Sequence, residues 1–166
     1  MELYNSKMQN IVVAFIAFMA FLNSVVNFLG VQVGVDGLSF EYILGKIFIP
    51  LTFCLGVEWQ DCEAVARLIG TKTVLNEFIA FRNLGQLVAA GELSRRSAVV
   101  ATYALCGFAN PGSMGVQIAV LSSMAPERKS DFARVVFRAF IAGNAACFLT
   151  ACIAGTLFNE HVEKLD

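Results

Sequence analysis

The stretch CGFANPGSMG, residues 106–115, decides how this chain is read. Residues 97–126 contain no charged side chain, and the run is long and apolar enough to cross a bilayer. At its centre stand Asn110, Pro111, Gly112 and Ser113, four residues that a stable helix avoids. Pro111 has no backbone donor and pushes Asn110 away from helical angles, and Gly112 costs about 1 kcal/mol of helix relative to alanine. The pattern predicts two half-helices joined by an unwound stretch. An unsatisfied polar group in lipid costs several kcal/mol, so the freed backbone and the side chains of Asn110 and Ser113 should face inward. A proline-kinked helix without a ligand is the plainer alternative for this segment.

The composition around that stretch is not that of a soluble domain. The 166 residues are 57% hydrophobic and 15% charged, with a mean hydropathy of +0.68, where soluble domains average roughly 45–50% apolar and about 25% charged. The apolar excess lies in runs rather than in alternation, which points to lipid-facing surface. A formal charge of −1 supplies no basic field for nucleic acid. The five cysteines, Cys54, Cys62, Cys106, Cys147 and Cys152, form no CxxC pair, and His161 is the one histidine. A metal site or disulfide framework is therefore not expected, and the thiols read as buried and inert. No nucleophile–base pair and no phosphate-cradling glycine loop suggests an enzyme, so no catalytic residue and no cofactor is assigned. Residues 1–7 carry one acid and one base, and no small-residue cleavage site follows the apolar run after them, so no cleavable signal is expected.

Outward from the centre the chain divides into six segments. Residues 8–35 are 28 uncharged positions, about 42 Å as a helix against a bilayer core of about 30 Å, so 1–36 is expected to span. Asn23 and Asn27 fall four apart on one face and should turn toward protein. Segment 37–58 reads as an interfacial, linking helix that Pro50 interrupts. In 59–96 two helical halves, about 59–69 and 74–90, are expected to meet at residues 70–73. Neither is long enough to span, so they read as a re-entrant hairpin, although a soluble helical hairpin would look similar. Segment 97–126 is the broken helix, 127–138 a charged loop, and 139–166 the final transmembrane helix and tail. That helix is rich in the small side chains that let membrane helices approach closely. The basic loop holding Arg128 and Lys129 would face the cytoplasm by the positive-inside rule.

A second polar cluster lies in GTKTVLNEF, residues 70–78. Glu77 sits between apolar neighbours, and an acid at membrane depth is a functional hypothesis by default. Its plainer reading is an ion pair with Lys72 or Arg82. A carboxylate and an amide can together hold hydroxyl groups, and the ring of Phe108 can contact a sugar or a flat ring. Paired discontinuous elements at the midplane are a common way to build a transporter's substrate site.

Four stretches carry a family resemblance: WQDCEAVARLIGTKTVLNEFIAF, ATYALCGFANPGSMG, MAPERKSDFARV and ACFLTACIAG. They closely resemble the C-terminal part of concentrative nucleoside transporters, and the likeness runs over nearly the whole chain. The resemblance implies an all-α membrane protein: spanning helices, a re-entrant helical hairpin and a discontinuous, unwound helix, as in the C-terminal part of the nucleoside transporter fold. It implies that 1–36 is a scaffold helix, that the assembly is a homotrimer in lipid, and that the location is a multi-pass position in the plasma membrane. It implies that Glu77, Asn110 and Ser113 bind the ribose of a nucleoside and that Phe108 lines the pocket. Family members often carry a bulky residue where Pro111 stands and a serine where Gly112 stands. The family's first hairpin, with a GQTE-like motif for the base, and the helix supplying ligands to the coupling sodium ion or proton have no counterpart in these residues. The expected function is thus a part of a cation-coupled nucleoside symporter. The alternative is a truncated, non-transporting membrane subunit that assembles with or modulates intact transporters.

Overall fold

In a chain this apolar the backbone must find its hydrogen-bond partners within itself, and helices achieve that locally. The computed structural model describes residues 2–34 and 37–158, with side chains at position 13 and from position 17 onward within those ranges. Met1, residues 35–36 at the end of the first predicted segment, and the tail 159–166 with His161 lie outside the described residues. Among the described residues there are seven α-helices and no strand: α1 Glu2–Gln32, α2 Phe40–Cys54, α3 Cys62–Val74, α4 Glu77–Ala89, α5 Arg95–Leu105, α6 Pro111–Met124 and α7 Lys129–Leu157. Short 3-10 turns at Trp59–Asp61 and Pro126–Arg128 lead into α3 and α7.

The lengths sort the helices. The stretch Pro126–Leu157 is long and apolar enough to cross a membrane. In α1, Ala17–Gln32 forms a shorter apolar stretch. By contrast α3 and α4 have 13 residues each, α5 has 11 and α6 has 14, which at 1.5 Å per residue is about 16–21 Å. None of these four reaches across a core about 30 Å thick.

Three boundaries differ from the sequence expectation. Pro50 does not interrupt its segment: α2 runs through it to Cys54 and stops at Gly56, whose φ of +89° suits glycine. The stop is a Schellman closure, with Gly56 N–H donating to Phe53 O and Val57 N–H to Thr52 O. The lost donor of one proline is outweighed by the packing of α2 along α3. Likewise, residues 70–73 are not a turn. Helix α3 continues through them to Val74, with Gly70 packed on the backbone of α2, and the chain turns at Leu75 and Asn76. The Thr71 and Thr73 hydroxyls bond back to the carbonyls of Arg67 and Ile69 at 2.9 and 2.8 Å. The charged stretch 127–138 is not a loop either. Beyond Arg128 it is the start of α7, where Arg128 pairs with Asp131 at 3.2 Å and Phe132, Val135, Val136 and Phe140 recur at helical spacing.

The core gathers Val65, Leu68 and Ile69 of α3, Ala80 and Leu84 of α4, Val100, Ala101, Ala104 and Leu105 of α5, and Ala151 of α7. Helices α3, α4, α5 and α7 therefore enclose it, with Phe48, Ile49 and Leu51 of α2 packed against it. The cysteines do not all lie inside: Cys62 is buried, Cys147 and Cys152 are half-buried, and Cys54 and Cys106 are exposed, because this chain leaves their faces uncovered. Large apolar side chains such as Phe21 and Phe28 of α1 and Phe137, Ile141 and Leu149 of α7 also stand exposed.

Glycines set the closest approaches. A Cβ on Gly70 would lie 2.8 Å from Glu41 O and 3.2 Å from Gly45 N, so α2 and α3 touch backbone to backbone. A Cβ on Gly155 of α7 would lie 2.8 Å from Val100 Cγ2 of α5. Asn23 and Asn27 tie α1 to the start of α2. Asn23 Nδ2 donates to both Glu41 oxygens at 3.0 and 3.1 Å, and Phe40 and Gly37 donate their N–H groups to Asn23 and Asn27 at 3.0 and 3.1 Å. Gly70→Val overpacks the α2–α3 contact and is expected to cost about 1–3 kcal/mol, read as a lower thermal midpoint of the detergent-solubilised protein. An unchanged midpoint would mean the two helices do not approach this closely.

Candidate functional site

Two helix starts meet in the interior. At the first, Asn76 has extended backbone (φ −166°, ψ 167°), and its Oδ1 accepts from Ile79 N–H at 3.0 Å, capping α4. Glu77 is then the first residue of α4, where the partial positive charge of a helix N-terminus favours a carboxylate. At the second, α5 ends at Leu105 and five non-helical residues, 106–110, precede α6. Asn110 caps α6 in a reciprocal arrangement. Ser113 N–H donates to Asn110 Oδ1 at 2.8 Å, and Asn110 N–H donates to Ser113 Oγ at 3.0 Å. The Ser113 hydroxyl donates to Asn110 O at 2.7 Å, with Phe108 O at 3.1 Å.

Pro111 takes the first position of α6. There its missing N–H is one the helix would leave unbonded anyway, and its fixed φ already suits the helix. It starts a helix here rather than kinking one, which removes the plainer reading of the segment.

The two starts are joined by one hydrogen bond, from Asn110 Nδ2 to Glu77 Oε2 at 3.0 Å. Residues 33 apart in sequence thus bring a carboxylate and an amide into contact. Glu77, Asn110 and Ser113 are 8%, 3% and 4% exposed. The alternative of an ion pair for Glu77 does not hold. Among the described residues neither Lys72 nor Arg82 forms a contact ion pair with Glu77, although the Lys72 ammonium faces the carboxylate from farther away.

Phe108 is placed differently. The residue is 55% exposed. It borders an apolar cavity of about 280 Å³ between α6 and α7, shared with Ser113, Gln117, Phe132 and Phe140 but not with Glu77 or Asn110. The structure therefore brings three of the four predicted residues together and sets the fourth at the flank. Sequence reasoning overlooked Asn76 as a cap, although an asparagine directly before an acid and an apolar run is a helix-start signal. It also overlooked the burial of Lys72, which no local signal announces.

Chemically, the pair offers acceptors and donors side by side. A carboxylate has about four acceptor positions, of which Asn110 occupies one, and the amide group has a second N–H. Such a pair can in principle hold vicinal hydroxyls.

Comparison with known proteins identifies the family. Human solute carrier family 28 member 3 is 47% identical over 164 residues, covering 91% of this chain and 24% of the relative. Mouse sodium/nucleoside cotransporter 1 is 42% identical over 167 residues, covering 93% of this chain and 26% of the relative. The chain thus spans about a quarter of the length of the curated relatives it matches. Among solved structures, CNTnw in an inward-facing substrate-bound state superposes with a TM-score of 0.78 at 37% identity, covering 89% of this chain and 36% of that one. A CNTnw variant in an intermediate state gives a TM-score of 0.84 at 36% identity, with 92% and 38% covered. A family model described as "Na+ dependent nucleoside transporter C-terminus" matches residues 5–155, and the chain belongs to that family.

Proposed function

We propose that this chain supplies the ribose-binding half of the substrate site of a sodium-coupled nucleoside symporter. The observation that carries the reading is the Asn110–Glu77 hydrogen bond at 3.0 Å, which presents a carboxylate and an amide from two helix starts to one point. Family membership supports it, as do the names of relatives that are sodium/nucleoside cotransporters. The protein is a membrane protein and not an enzyme. Helices α3 and α4 form a re-entrant hairpin in this reading, and α5 and α6 are the two halves of one discontinuous transmembrane helix. The complete protein is multi-pass, resides in the plasma membrane and assembles as a homotrimer in lipid.

Each residue then has a task. Glu77, at the start of α4, accepts hydrogen bonds from the ribose hydroxyls. Asn110 donates and accepts at the same hydroxyls. Ser113 holds Asn110 through the reciprocal cap and reaches the sugar from the next position. Phe108, half exposed beside the break, closes the flank of the bound nucleoside with its ring. The base and the coupling ion meet parts of the transporter outside these residues.

A hydrogen bond to a charged group contributes about 1.5–3 kcal/mol. Glu77→Gln and Asn110→Ala in the transporter containing this chain are therefore each expected to lower uridine uptake roughly 10- to 100-fold at equal surface abundance. Uptake that survives both changes refutes the ribose assignment. The 166-residue chain expressed alone is expected to give no concentrative uptake, because it spans only about a quarter of its relatives' length. Sodium-dependent accumulation of labelled uridine in those cells would contradict that division of labour.

A further inference from the structure

Lys72 is the largest fully buried side chain in the described structure, with no exposure at all, and nothing so far uses it. Its ammonium lies among three elements. Nζ donates to Ala104 O in the last turn of α5 at 3.0 Å. It stands 5.9 Å from the centre of the Phe148 ring on α7. A Cβ on Gly107, in the break, would come within 3.4 Å of Nζ and collide with Cys147 Sγ. The titratable groups that face the ammonium are Cys147 of α7, Glu77 of α4 and Cys106 at the end of α5.

The choice of carbonyl is informative. In a continuing helix Ala104 O would accept the N–H of residue 108, but α5 stops at Leu105. Cys106 N–H turns back to Tyr103 O, and Ala109 N–H bonds Gly107 O instead. The Lys72 ammonium supplies the donor that the missing turn does not. Its positive charge also complements the negative end of α5, and at zero exposure solvent screens that interaction little. A lysine charge is costly to bury without such partners.

We propose that Lys72 is a positioning residue for nucleoside binding. Its ammonium, inserted where the helix would have propagated, holds the break between α5 and α6 in the shape that delivers Asn110 to Glu77. The inference rests on the ribose reading above. Lys72 touches no substrate; it acts through Asn110. Two opposite charges thus serve the two kinds of helix end at one centre, Lys72 at the C-terminus of α5 and Glu77 at the N-terminus of α4.

The test is a double-mutant cycle on uridine affinity, measured with the purified, complete transporter. Lys72→Met keeps the length and apolar stem while removing charge and donor, and is expected to weaken uridine binding about tenfold. In the Asn110→Ala background the same change is expected to add less than about twofold, because the residue through which it acts is gone. Unchanged affinity in Lys72→Met, or a full independent loss on top of Asn110→Ala, overturns the proposal. A generally damaged fold would give that independent loss. If Lys72→Met does not yield folded protein, Phe148→Leu removes the ring facing the ammonium and leaves its hydrogen bond. It is expected to weaken binding about two- to fivefold, absorbed by Asn110→Ala in the same way, and unchanged affinity there counts against the proposal equally. Asn110→Ala with wild-type affinity would instead overturn the ribose reading itself, and with it the route assigned to Lys72.

Discussion

The hydrogen bond between Asn110 Nδ2 and Glu77 Oε2 joins two places where one helix ends and another begins. A helix end inside an apolar protein leaves donors or acceptors unbonded, and each must find a partner. Here the N-terminal donors of α4 and α6 are met by Asn76 and Asn110, and the C-terminal end of α5 is met by Lys72. The same residues that satisfy the ends create a polar point inside an apolar chain. Structural necessity and the ligand chemistry proposed above therefore fall on one set of side chains.

Rigidity around that point comes from close helix contacts. Gly70 lets α3 lie against the backbone of α2, two residues before Lys72 and seven before Glu77. Gly155 and Ala151 let α7 lie against α5 just upstream of the break. The site thus hangs from α3 and α5, whose inner faces are almost fully buried. Around it, α6 and much of α7 present apolar side chains outward, the surface on which lipid or the rest of the transporter would act.

Much of this was legible from residue order, because helix-breaking chemistry is local. Asn110 and Pro111 announced a helix boundary, although the non-helical residues are 106–110 and Gly112 lies inside α6. Glu77 announced a buried acid, and Asn23 and Asn27 announced a protein-facing side of α1. What sequence misplaced were boundaries decided by packing. Gly70 reads as a turn residue but is a contact residue, and Thr71 and Thr73 bond back to their own helix. The charged start of α7 reads as a loop, yet its apolar residues keep helical spacing beneath the charges. The burial of Lys72 could not be read at all, since its partner Ala104 lies 32 residues away and offers only a backbone carbonyl.

The most direct measurement is the position of a bound nucleoside in a solved structure of the complete transporter. The account predicts ribose oxygens within about 3.2 Å of both the Glu77 carboxylate and the Asn110 amide, with the two side chains still adjacent. A nucleoside whose sugar lies elsewhere, with Glu77 and Asn110 bonded only to each other, would contradict it.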